Sequence, residues 1–114
     1  MIDQGGVYAY DLGPQQGALK EGKRYLIVVQ NDTLNNLDGY NNVIVVPTTT
    51  KMRPSPTFAK IEPSAENGLT ATSYAICNQI QTFDKSRLVD FRGKLSKVDL
   101  YAVKEALKIA LGIT

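Results

Sequence analysis

A chain of 114 residues, 43% hydrophobic and 21% charged, holds one core and leaves no room for separate cofactor and substrate domains, so a single domain over 1–114 is expected. With a net charge of +2, no His, no Trp and one Cys, it excludes imidazole bases, Ser–His–Asp and Cys–His catalysis, thiolate zinc clusters and an internal disulfide. The apolar runs at Leu26–Val29 and Val43–Val46 fall far short of the roughly 18 residues of a membrane span, and no basic start leads into an apolar stretch, which implies a cytoplasmic protein without a membrane partner.

In chain order, Val, Ile, Tyr and Thr runs separated by Gly, Pro, Asn and Asp predict strands near 6–12, 25–31, 42–49, 57–62, 73–82 and 89–93. Tyr8, Tyr10 and Leu12 recur at period two, the mark of a half-buried strand. Tyr25–Val29 and Val43–Val46 are continuously apolar and predict strands covered on both sides, at the centre of the sheet. Between the strands, 13–23 and 51–55 read as cation-bearing loops, and the Asn- and Asp-rich 31–42 as a long hairpin connection. At the C-terminus, Ser96 and Asp99 have capping-box spacing, Leu100, Val103, Leu107 and Leu111 recur at helical spacing, and Gly112 supplies a stop. A helix over 97–111 follows, with Lys104, Glu105 and Lys108 facing solvent. The fold class is mainly β, or α+β: a small, strongly twisted antiparallel sheet, partly closed into a barrel, with a C-terminal helix.

Charge is unevenly placed. Residues 1–12 carry −2, 13–60 carry +3 and the remainder +1, a basic bias in the first half that is compatible with phosphate contact. The lone Cys77, among Ala75, Ile76 and Ile80, reads as an inert buried thiol. Asp84 with Lys85 and Arg87 reads as a turn with surface pairing.

Three stretches, taken in order, resemble the MazF/PemK toxins of bacterial toxin–antitoxin modules. The first runs from Gly6-Val7-Tyr8 through Asp11-Leu12-Gly13-Pro14 to Lys23-Arg24 and on to Asp32; the second is Val43–Thr50, with its Pro-x-Thr-Thr end; the third is Asn78-Gln79-Ile80-Gln81-Thr82-Phe83-Asp84-Lys85 and the residues to Leu88. The resemblance implies an SH3-like barrel homodimer that cuts single-stranded RNA at short sequences without a cofactor or metal. It also implies silencing by a cognate antitoxin whose acidic tail fills the groove. Arg24 matches the family's catalytic Arg and Thr49 its catalytic Thr; a guanidinium spans two phosphate oxygens and a hydroxyl donates to another. Thr48, Thr50, Lys51, Arg53, Asn78 and Gln79 are the implied RNA-binding residues, and each has a plainer reading as a solvated or structural side chain. Tyr25 and Phe58 either stack on bases or belong to the core.

The chain also departs from the pattern. The first-loop carboxylate position is Leu19, with Glu21 two residues on. Asn78 stands where the family has an acidic residue, Tyr25 where a Pro follows the Arg, and Gln81 where an Arg follows the Gln. An amide hydrogen-bonds RNA but takes no proton as a carboxylate does. Loss of a general base is worth about 10²- to 10⁴-fold, which leaves two functions open: a ribonuclease working through positioning and electrostatics, or a degenerate MazF-like or CcdB-like protein that binds antitoxin or DNA gyrase. A peptide-binding SH3-like module fits less well, since the aromatic residues are scattered.

Overall fold

The computed structural model describes residues 1–11 and 23–114. Seven strands occur in it: β1 (Gly6–Asp11), β2 (Lys23–Val28), β3 (Asn42–Thr49), β4 (Phe58–Ile61), β5 (Ser73–Ile76), β6 (Gln81–Asp84) and β7 (Asp90–Lys94). A one-turn helix, α1 (Asp32–Asn35), lies between β2 and β3, and the long helix α2 (Lys97–Leu111) closes the chain. All pairings are antiparallel, in the order β4-β5-β3-β2-β1-β7, with β6 also on β3. The end strands β4 and β7 do not pair, so the curled sheet stays open as a partly closed barrel.

The central strands are covered on both sides, as their unbroken apolar runs predict. Val7, Ile27 and Val46 point to one face, where they pack with Ile61, Ala75, Cys77, Val103 and Ala106 from β4, β5, the following turn and α2. Tyr8, Leu26, Val28, Val43 and Val45 point to the other, against Phe83 and Leu88. Alternation along β2 and β3 therefore sorts neighbouring residues into two separate cores.

α2 begins where the capping signal predicts, with the Ser96 hydroxyl accepting from the Asp99 amide at 3.1 Å. It ends at Gly112, whose left-handed backbone (φ 71°) lets the amides of Gly112 and Ile113 reach back to Ile109 and Lys108. Its buried contacts are Val103 and Ala106, flanked by Leu100 and Leu107; Leu111, expected on the apolar stripe, is instead exposed in the last turn. Lys108 pairs with Glu105 at 3.0 Å on the solvent side.

Two connections differ from expectation. The single strand predicted over 73–82 is broken by a turn at 77–79, so β5 pairs with the end of β3 and β6 with its beginning. The segment 31–42 contains α1, capped by the Asn31 side chain and tied down by a buried Gln30–Asn35 amide pair at 3.0 Å. The Lys85 ammonium donates to the Leu34 and Asn35 carbonyls at the open end of α1, so Lys85 anchors that connection instead of pairing at the surface.

The loop after β4 crosses β7 at backbone contact. Gly68 (φ 68°) and Gly93 face each other's strand so closely that a Cβ on either would drive into the backbone of Arg92 or of Glu66–Asn67. Asn67, 1% exposed, staples this loop from inside: it donates to Glu62 O and accepts from the amides of Ser64 and Leu69.

Candidate functional site

The β2–β3 ladder pairs Leu26 with Pro47 and Ile27 with Val46. The same register continued two residues sets Arg24 across from Thr49 and Tyr25 across from Thr48. Facing residues of an antiparallel pair share a side of the sheet, so Arg24, Leu26, Pro47 and Thr49 share one face. On the other edge of β2, Tyr10 lies opposite Arg24, and across β3 Gln81 and Phe83 lie opposite Val45 and Val43. These strands enclose a shallow pocket of about 110 Å³, lined by Tyr10, Arg24, Leu26, Pro47, Gln79, Gln81 and Phe83. Its floor is apolar and its rim carries a guanidinium and two amides. Arg24 is exposed and, among the described residues, has no ion-pair partner, so its charge is available to an incoming anion.

Thr49 is half-buried at the last position of β3, and its Oγ1 accepts from the Lys51 amide at 3.2 Å. That bond occupies a lone pair and leaves the hydroxyl proton free to donate. Thr48 corrects the expectation made for it. Its side chain points to the opposite face, is 5% exposed, and donates to Tyr25 O at 3.0 Å, so it ties β3 to β2 and lines no groove. Tyr25 packs on the α2 side of the sheet, half-buried against the first core. Thr50, Lys51 and Arg53 are exposed on the loop leaving β3, beyond Thr49.

The turn at 77–79 presents Asn78 and Gln79 to solvent, and Gln79 reaches the pocket. Main-chain bonds form that turn: the Cys77 amide donates to Thr57 O and the Gln79 amide to Ile76 O. Asn78 Oδ1 receives the Thr57 hydroxyl at 3.4 Å, and Thr57 Oγ1 lies 2.8 Å from the Ser55 hydroxyl. Phe58, beside Thr57, is half-buried. Cys77 points inward, and burial pushes its thiol up to about 11, which keeps it protonated and unreactive. Among the described residues no three His, Cys, Asp or Glu side chains gather to hold a metal. No helix there is long and apolar enough to cross a membrane.

Leu19, Glu21 and the remainder of the loop expected over 13–23, up to residue 22, lie outside the described residues. Sequence reasoning did not single out Tyr10, Pro47 and Phe83 as pocket residues, though the period-two alternation of Tyr8 and Tyr10 was the available signal for the first. It also misread Arg87. The guanidinium of Arg87 pairs with no described carboxylate; it lies over the rings of Tyr10 and Phe83, at 5.0 and 4.7 Å from their centroids. Asp84 is engaged elsewhere, accepting from the Ser86 amide at 2.9 Å, and that bond holds its carboxyl below the usual range.

Residues 3–111 match the family model described as "PemK-like, MazF-like toxin of type II toxin-antitoxin system". The chain belongs to this toxin family. Among similar proteins, the endoribonuclease MazF of Staphylococcus epidermidis is 35% identical over 99% of this chain and 93% of its own length. The MazF of Staphylococcus saprophyticus is 36% identical over the same shares. Among solved structures, a mycobacterial endoribonuclease in complex with its cognate antitoxin superposes with a TM-score of 0.81 at 29% identity, covering 100% of this chain and 98% of that one. MazF from Deinococcus radiodurans shares the fold, with a TM-score of 0.71 at 20% identity over 98% and 97% of the two chains. Of the residues that the MazF/PemK resemblance picks out, Arg24, Pro47 and Gln79 line the pocket of this sheet.

Proposed function

We propose that this protein is an endoribonuclease toxin of a toxin–antitoxin module that cuts single-stranded RNA by attack of the RNA's own 2′-OH. The observation that carries the reading is an exposed Arg24, without an ion-pair partner among the described residues, in the pocket that Gln79 and Gln81 also line; Thr49, at the end of the neighbouring strand, lies outside the pocket lining with its hydroxyl proton free to donate. In the reaction the 2′-oxygen bonds to the adjacent phosphorus, the 5′-oxygen leaves, and a 2′,3′-cyclic phosphate remains. Negative charge builds on the non-bridging oxygens at the transition state. Arg24 bridges two of those oxygens and Thr49 donates to one, stabilising charge where it develops. Gln79 and Gln81 offer donors and acceptors to a base edge, and Lys51 and Arg53 extend the cationic track along the strand. Asn78 hydrogen-bonds the RNA and takes no proton. As the new bond forms the 2′-OH gives up its proton and the departing 5′-oxygen takes one up, both exchanged with water, while Arg24 and Thr49 supply alignment and electrostatics.

The protein acts as a homodimer, and its antitoxin competes for the same cations with an acidic segment. Light scattering at micromolar concentration checks the first statement, and displacement of RNA by the antitoxin checks the second. The decisive experiment is cleavage of a long unstructured RNA in EDTA by wild type, Arg24→Ala and Thr49→Ala, purified alike. Expected are cuts at a recurrent short sequence, cyclic phosphate termini by mass spectrometry, and losses of at least about 100-fold in both variants. Asn78 at the family's acidic position favours a second reading, a binding protein that holds antitoxin or gyrase. Folded wild type that cuts no RNA of any sequence replaces the first reading with this one.

A further inference from the structure

The pocket holds a feature that the cleavage chemistry leaves unused. Arg24 is the cross-strand neighbour of Tyr10, and Arg87 lies over the ring of the same Tyr10. Arg87 is held there by two rings at once, since Tyr10 and Phe83 pack edge to face with centroids 5.1 Å apart and planes at 74°. Both rings line the pocket. Arg87 is exposed and, like Arg24, has no carboxylate partner among the described residues. Two guanidinium groups without a carboxylate partner among the described residues thus adjoin one aromatic ring, an arrangement complementary to an anionic ligand. Phosphates recur along a nucleic-acid strand, which makes such a pair complementary to neighbouring phosphodiesters.

We propose that Arg87 is a further binding residue of this site, taking a second phosphate of the strand whose scissile phosphate lies at Arg24. The aromatic pair serves as its mount: it fixes the guanidinium without neutralising it, as a carboxylate would. The assignment rests on the ribonuclease reading above. It differs from that reading in its observable, because a phosphate contact reports itself in the salt dependence of binding.

The test uses a mixed-sequence oligoribonucleotide carrying 2′-O-methyl groups, which binds without being cut, with affinity measured by fluorescence anisotropy between about 50 and 200 mM salt. Wild type, Arg87→Gln, Arg87→Met and Arg87→Lys are compared, with thermal melts to establish that each is folded. Methionine keeps an apolar stem over the rings and serves if glutamine unfolds the site. Expected is a slope of log K against log salt shallower by about 0.7 in Gln and Met, one single-strand phosphate contact, and retained in Lys. An unchanged slope in folded Gln or Met overturns the Arg87 assignment and leaves the ribonuclease reading standing. So does a Lys variant that behaves like Gln, since planar stacking and not charge would then be at work. A wild-type protein that fails to bind the oligonucleotide overturns both.

Discussion

Thr48 and Thr49 are chemically the same residue one position apart, and the pleat gives them opposite tasks. The Thr48 hydroxyl is buried and donates to Tyr25 O; the Thr49 hydroxyl is oriented outward by the Lys51 amide. Thr48→Val keeps the shape and removes the donor, leaving a partly buried carbonyl short of a partner, so stability falls by about 1 kcal/mol. A urea midpoint measured at unchanged slope checks this, and a midpoint equal to wild type contradicts it. The residue types at this end of β3 were legible in the sequence, because a Pro-x-Thr-Thr run after an apolar strand is distinctive. Their facing was not. Residues 43 and 45–48 are all buried, so β3 offers too little polar–apolar alternation to say which Thr looks out. Only pairing with β2 settles it.

Among elements, those with complete local signals were legible: α2 with its cap, spacing and Gly stop, and the central strands with their apolar runs. The break between β5 and β6 carried no Gly or Pro. It is made by the long-range Cys77–Thr57 main-chain bond, which no window of sequence contains. That break brings Gln79 to the pocket, so this part of the site depends on a contact that lies outside any local window. α1 was missed for a related reason: at four residues it is too short for periodicity. Tertiary bonds hold it, from Gln4 N to the Asp32 carboxylate at 2.7 Å and from Lys85 to its last carbonyls. The Gln4 amide, and after it the Asn35 side chain, hold the Asp32 carboxyl below its usual range. A carboxylate with a depressed folded value stabilises the fold fully above the unfolded value and loses that contribution as pH falls through the folded one. Asp32→Asn keeps an acceptor and removes the titration, so the gap in melting temperature between wild type and variant narrows below about pH 4. Melts at a series of acidic pH values read it directly, and a constant gap excludes the linkage.

Across the whole molecule, two cores share strands β1, β2 and β3, one beneath α2 and one beneath the pocket. The broad plan, a strongly curled antiparallel sheet with a terminal helix, was legible from composition and period. The division into two cores was not, since it depends on how far the sheet bends. The Gly68–Gly93 crossing shows the same limit: the two glycines are 25 residues apart, and nothing in the chain announces that the loop after β4 touches β7.

Cys77 stands where these levels meet. Its sulfur lies 3.8 Å from Ala75 O and 3.7 Å from Val103 O, between the sheet and α2, and two residues along the chain Gln79 lines the pocket. It is the protein's only thiol, so its labelling is an unambiguous one-per-chain signal. Modification by an aromatic disulfide reagent at pH 8 should be slow in the native protein and complete within minutes in urea, and rapid native labelling would contradict the burial seen here. The fold has thus left a built-in clock: each captured thiol marks one opening of the seam between helix and sheet, a single peptide bond away from the exposed Asn78.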